Sequence, residues 1–143
     1  MEQKQKIADS TIVTLLNNCG IKASVQRMSI LRYVMEHSTH PSVDDVYNAL
    51  ISSIPTLSRT TVYNTLEQLQ EKGVILAISI DDKMIHFDGN THQHAHFLCK
   101  KCQTIYDIPQ NFDVPTDTLI DGFSVTETQV YYKGICNTCL TKK

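Results

Sequence analysis

Four of the five cysteines stand in two pairs, Cys99/Cys102 and Cys136/Cys139, with 33 residues between the pairs; Cys19 stands alone. Two residues between paired cysteines let both sulfurs reach one ion from a tight turn. Two such turns supply the four corners of a tetrahedron. Soft thiolates favour zinc over magnesium, calcium or manganese. With every corner a cysteine, no position is left for water, so the expected site is structural. A redox dithiol and an iron–sulfur centre are the rival readings. The need of a small domain for a staple favours zinc.

A second group of donors lies close by. Four of the six histidines fall between residues 86 and 96, in His86-Phe87-Asp88 and His92-Gln93-His94-Ala95-His96, and Asp107 lies five residues past Cys102. His94 and His96 are two apart, so on a strand they share a face. Imidazole with carboxylate suits iron, manganese or zinc in a site distinct from the thiolate one, and thereby an exchangeable metal. The plainer reading is a set of solvated histidines ahead of a zinc turn.

The elements that must position these residues are legible in outline. Ile7, Ile12, Leu15, Leu16 and Cys19 recur at helical spacing before Gly20, with Cys19 read as a small core hydrophobe. A second helix is expected over 25–36. Ser42 with Asp45 three residues on is a capping box opening a third helix, over 42–54, which Pro55 ends. Ser58 caps a fourth, over 59–72, stopped by Gly73. Helices 42–54 and 59–72 with their short turn have helix-turn-helix dimensions. Two strands, 74–80 and 84–87, then form a hairpin, completing a winged helix. Short strands are expected at 95–99, 104–108 and 123–135, with a short helix between Asn111 and Gly122 that Pro115 weakens. The fold class is therefore α+β, with a winged helix-turn-helix domain over 1–85 and a small α/β dimerisation domain over 86–143 that carries the four-cysteine zinc site. That second domain is too small to build a generous core, so a staple or partner chain is expected.

Composition bounds the rest. The 143 residues carry 13 Lys+Arg and 15 Asp+Glu, a formal charge of −2, and are 41% hydrophobic. Apolar runs are too short for a transmembrane helix and no secretory h-region follows Met1, so the chain reads as cytoplasmic, with no membrane partner. The net charge argues against nucleic acid. Locally, however, Lys22, Arg27 and Arg32 are the only charges between Ser10 and Met35, and Arg59 is the only one from Val46 to Leu66. Unopposed positive charge on helices is what a phosphate-facing surface requires, although an ordinary solvated face would look similar.

The order of several motifs resembles the Fur family of metal-dependent transcription regulators. They are Gly20-Ile21-Lys22-Ala23-Ser24-Val25-Gln26-Arg27, His40-Pro41-Ser42-Val43-Asp44-Asp45-Val46-Tyr47, Thr61-Val62-Tyr63-Asn64-Thr65-Leu66, the H-x-H-x-x-C-x-x-C of His94 to Cys102, and the closing Tyr132-x-Gly134-x-Cys136-x-x-Cys139. Val25 departs from the proline common there. Within the family the chain looks most like the peroxide-sensing PerR branch. The resemblance implies a homodimeric repressor of an A·T-rich palindromic DNA operator, with structural Zn2+, a regulatory Fe2+ or Mn2+, and no organic cofactor. Carried over, the regulatory ligands are His40 in the DNA-binding half and Asp88, His94, His96 and Asp107 in the dimerisation half, with His40 and His94 the oxidation-sensitive ones. Asp107 is the discriminator, since iron-sensing members usually carry Glu there. An additional site found in many members would use positions that here read Gln93, Ala95, Val114 and Thr128, which are poor ligands, so it is expected to be missing. His86 and His92 are left over as solvated or supporting residues.

In the same resemblance helix 59–72 is the recognition helix. Arg59, Thr60, Tyr63 and Asn64 would contact bases or phosphates, with core packing beside Val62 the plain alternative for Tyr63. Lys22 would enter an A·T-rich minor groove, and Arg27 would hold backbone or pack structurally. An iron-responsive Fur-type repressor is the runner-up. A non-haem iron enzyme built on His94, His96 and Asp107 is the reading from another class, and it leaves the N-terminal half without a task.

Overall fold

The computed structural model describes residues 6–92, 94–109 and 119–141. The chain forms two compact units, Met1–Thr91 and His92–Lys143. No helix among the described residues is long and apolar enough to cross a membrane.

The first unit is built from α1 (Asp9–Asn18), α2 (Val25–Glu36), α3 (Val43–Leu50), α4 (Arg59–Glu71) and the strands β1 (Leu76–Ile78) and β2 (His86–Asp88). Each helix takes its start and stop from local chemistry. The Ser24 and Ser58 hydroxyls accept from the N–H groups of Arg27 (3.2 Å) and Thr61 (3.1 Å). Ser42 and Asp45 exchange both bonds of a capping box, at 2.9 and 3.2 Å. Gly20 and Gly73 end α1 and α4 at φ of 72° and 74°. In both cases the N–H of the next residue returns to a carbonyl five back, Ile21 to Leu16 and Val74 to Leu69, each at 2.9 Å. Helix α3 is shorter than expected. It closes at Leu50, and 51–53 continue as turns, because the residue before Pro55 is pushed out of the helical region.

Between the helices, Ile12, Leu16, Ile30, Leu31, Val46, Val62, Leu66 and Leu69 are fully buried, with Cys19 packed at the edge of the same core. Strands β1 and β2 pair antiparallel in the register Ala77↔Phe87, forming the wing. This pairing assigns 86–91 to the first unit, so the division falls after Thr91, where the sequence reading expected it after residue 85.

The second unit holds β3 (Ala95–Cys99), β4 (Ile105–Ile108), β5 (Leu119–Ile120), β6 (Phe123–Ser124), β7 (Tyr131–Gly134) and α5 (Asn137–Thr141). Its main sheet has the order β4-β3-β7, with β4 antiparallel and β7 parallel to β3. The helix expected between Asn111 and Gly122 falls largely on 110–118, outside the described residues. Its last part is not helical. Asp121 and Gly122, at φ of 50° and 83°, form the two-residue turn of the β5–β6 hairpin. Two positive φ values suit a hairpin, and Asp-Gly is the pair that supplies them. The single strand expected over 123–135 is divided into β6 and β7.

Candidate functional site

Cys99 closes β3, and Cys102 sits in the turn to β4, where Gln103 adopts φ of 63° and its N–H returns to the Cys99 carbonyl at 2.9 Å. Cys136 follows β7 and Cys139 lies in α5. The parallel register places Cys99 opposite Gly134, which carries the second pair to the end of β3. The four sulfurs lie within 4.8 Å of one another. Cys102 Sγ and Cys136 Sγ are 3.9 Å apart. A tetrahedron with metal–sulfur bonds of about 2.3 Å has edges of about 3.8 Å. All five cysteines of the chain are thiols.

The surroundings prepare these sulfurs for charge. Backbone N–H groups of Cys102 and Cys136 donate to Cys99 Sγ, and that of Cys139 donates to Cys136 Sγ, each at 3.4 Å. Donation, first from Cys102, brings the Cys99 thiol down to about 6. A hydrogen bond from Tyr106 leads the lowering of Cys136, and the same bond leads the rise of Tyr106 to about 12. Cys139 is pushed up to about 12, chiefly by its hydrogen bond with Cys136. Four thiolates this close repel one another unless a cation sits among them. The donor set therefore fits zinc.

Each unit brings imidazole and carboxylate together among its own residues. In the second unit, Asp107 Oδ1 lies 3.1 Å from His94 Nε2 and 3.3 Å from His96 Nε2. His96 and Asp107 face each other across the β3–β4 ladder. The His94 Nδ1–H donates to the His92 carbonyl at 2.6 Å, which turns Nε2 toward the carboxylate. Two ring nitrogens and an oxygen aimed at one point are the donor set of a borderline divalent metal.

In the first unit, His40 Nε2 and Asp88 Oδ2 are 3.5 Å apart, with both residues buried. Asp88 lies on β2 and so belongs with His40, not with the dimerisation half to which the sequence reading assigned it. The Asn90 N–H donates to Asp88 Oδ1 at 2.9 Å and orients the carboxylate. His40 holds φ of 57°, a left-handed conformation that a β-carbon disfavours and that surrounding bonds must enforce.

The expected DNA residues also lie in the first unit. Thr60, Tyr63 and Asn64 are exposed on the first turns of α4. Tyr63 is 53% exposed, so it is not a core residue. Arg59 is exposed but engaged: its Nε donates to Asp44 Oδ1 at 2.9 Å and its guanidinium lies 4.4 Å over the Tyr47 ring. Lys22 is exposed ahead of α2, and its carbonyl accepts from Arg27 Nη1 at 2.9 Å, so Arg27 braces the loop that presents Lys22. Beyond Asn64 the exposed side of α4 carries Glu67 and Glu71. Only its first two turns can approach phosphate without like-charge repulsion.

The model of the ferric uptake regulator family matches residues 18–133. This chain belongs to that family. It is 34% identical over 133 residues to the peroxide-responsive repressor PerR of Staphylococcus aureus strain Mu50, covering 91% of this chain and 90% of the relative. Among solved structures, the Helicobacter pylori ferric uptake regulator Fur superposes with a TM-score of 0.72 at 16% identity, over 99% of each chain. PerR from Streptococcus pyogenes gives 0.53 at 29% identity, covering 97% of this chain and 98% of that one. Fur-family membership makes the chain a metal-dependent transcriptional repressor with the winged helix and four-cysteine cluster described above.

Several supporting residues escape sequence reading. Asn90 and Tyr106 carry no motif, and Asp44 and Tyr47, although inside one, gave no sign that they hold Arg59. Gly89 does leave a signal, being a glycine directly after a ligand candidate. A β-carbon there would lie 2.9 Å from Met35 Cα and 3.1 Å from the Val34 carbonyl oxygen, so any other residue would force α2 or the end of β2 to shift.

Proposed function

We propose that this Fur-family repressor senses peroxide, through a regulatory Fe2+ held by His40, Asp88, His94, His96 and Asp107. The observation that carries the reading is Asp107, whose single oxygen reaches both His94 and His96. A carboxylate one carbon shorter than Glu leaves more room beside the ion. The similarity to PerR proteins supports the same choice. The division of the five residues, two in one unit and three in the other, supports a metal that selects one arrangement of the units and thereby controls DNA binding.

Bound iron would supply the electron transfer that breaks the peroxide O–O bond. The chain would supply the target, the imidazole of His40 or His94: one peroxide oxygen ends on a ring carbon, the other leaves as water, and the oxidised ring becomes a poor ligand. Loss of that ligand releases the two units and the repressor leaves DNA. With Mn2+ the imidazoles stay intact and repression persists. Thr60, Tyr63, Asn64 and Lys22 are the proposed contacts to the operator, an A·T-rich palindrome, with Arg27 and Arg59 as supports. The partner chain is a second copy, expected to cover apolar side chains such as Phe123 and Leu140, which are 74% and 69% exposed.

The test is a DNA-binding assay on protein loaded with Fe2+ or Mn2+ and then given dilute peroxide. Release should occur only in the iron form, with one added oxygen on the peptide of His40 or His94 by mass spectrometry. An iron form that stays bound and unmodified would replace this reading with iron sensing. Asp107→Glu is the matching variant and should blunt the peroxide response.

A further inference from the structure

His86 is a histidine that neither metal set uses, yet it is well packed. Its side chain is 13% exposed, and it meets an acceptor at each ring nitrogen. Nδ1 is 2.8 Å from the carbonyl oxygen of His40, and Nε2 is 3.1 Å from Asp81 Oδ2. The other oxygen of Asp81 accepts from the Lys83 N–H at 2.9 Å, closing the turn of the wing. A continuous series of hydrogen bonds thus runs from Lys83 through Asp81 and His86 to the backbone of His40, entirely within the first unit. Two neighbouring contacts hold the same strand. The Phe87 N–H donates to the Pro41 carbonyl at 2.9 Å, and Ser42 forms a bridge with His86.

We infer that His86 is a positioning residue that transmits ligation at His40 to the turn of the wing. His40 sits in a left-handed backbone conformation, so its carbonyl direction depends on what grips it. Lys and Ser cannot reach two acceptors this far apart from one position, whereas a ring with nitrogens on opposite edges can. Fixing the His40 side chain on a metal fixes its carbonyl, and His86 passes that restraint to Asp81 and the 79–83 turn. The inference rests on the proposed ligand role of His40.

The test measures amide hydrogen exchange over 79–83 in the zinc-loaded full chain, with and without Mn2+, alongside Mn2+ affinity. In wild type, Mn2+ should slow exchange in that turn. His86→Leu should abolish the slowing and weaken Mn2+ binding about tenfold, the lower end of what loss of a supporting hydrogen bond costs a metal site. His86→Arg, whose guanidinium can serve both acceptors, should restore both. Asp81→Ala, which cuts the series beyond His86, should abolish the slowing while Mn2+ affinity stays near wild type. It also covers the case in which His86→Leu fails to fold. Wild-type slowing in His86→Leu or in Asp81→Ala overturns the inference alone. A wild-type chain that takes up no Mn2+ beside its zinc overturns the ligand reading, and the inference with it.

Discussion

Gly89→Ala separates the packing around Asp88 from general rules about glycine. The φ of Gly89 lies outside the left-handed region, so alanine can adopt its backbone. At such a position the change normally stabilises by about 0.4–1 kcal/mol, because it removes freedom from the unfolded chain. Here the added β-carbon would meet Met35 Cα at 2.9 Å, the Val34 oxygen at 3.1 Å and Met35 N at 3.3 Å. All three are backbone atoms in the last turns of α2, and no rotamer change can move them. Either α2 or the β2 end must shift by several tenths of an ångström, at a cost of about 1–3 kcal/mol for overpacking. From mid-range values, a cost of about 2 less a gain of about 0.7, the net sign is inverted to destabilisation by about 1.3 kcal/mol.

Among the described residues almost all the helix lies in the first unit, so far-ultraviolet circular dichroism reports its unfolding. For a unit of this size, each kcal/mol should lower Tm by about 4–8 °C. Asp88 directly precedes Gly89, so the same displacement should weaken Mn2+ binding while leaving zinc content unchanged. A variant with Tm equal to or above wild type would refute the close approach and the account of why glycine stands there.

Other consequences are independent. Leu66→Ala, at a fully buried position between the helices, should cost about 2–5 kcal/mol by urea titration, since the site cannot collapse around the lost atoms. Cys136→Ser should lose zinc, measured by metal analysis, and expose the amides of 95–108 and 131–141 to exchange, while α1–α4 remain protected. Tyr63→Ala should leave Tm within about 2–4 °C, as an exposed residue does, yet weaken operator binding by on the order of 1 kcal/mol. Lys22→Ala should weaken binding across sequences and reduce the slope of log affinity against log salt by about 1. An unchanged slope argues that Lys22 does not meet phosphate.

Much of this protein was settled by interactions that span three or four residues. Ser42 with Asp45, Ser58 with Thr61, and Gly20 and Gly73 after apolar runs mark helix ends because the bonds they form are local. The two C-x-x-C turns and the alternation of His94 and His96 are local in the same way, so the four thiols and those two imidazoles stand out in the sequence, whereas His40 enters the second set only through the family resemblance. Asp121-Gly122 was readable too. The helix expected between Asn111 and Gly122 made no use of that pair.

What the sequence left open depends on pairing between distant segments, where no short-range rule selects the partner. Parallel pairing of β7 with β3 closes the 33 residues between the cysteine pairs and turns two local knuckles into one tetrahedral cluster. Pairing of β2 with β1 draws Asp88 to His40 and puts the unit boundary after Thr91. The passage of α2 against Gly89, and the reach of His86 from β2 to the His40 carbonyl, follow from that same placement. Side-chain types and spacing name the chemistry available to this chain. Strand register and helix packing decide which of those side chains meet, because burial rewards contacts irrespective of their separation in sequence.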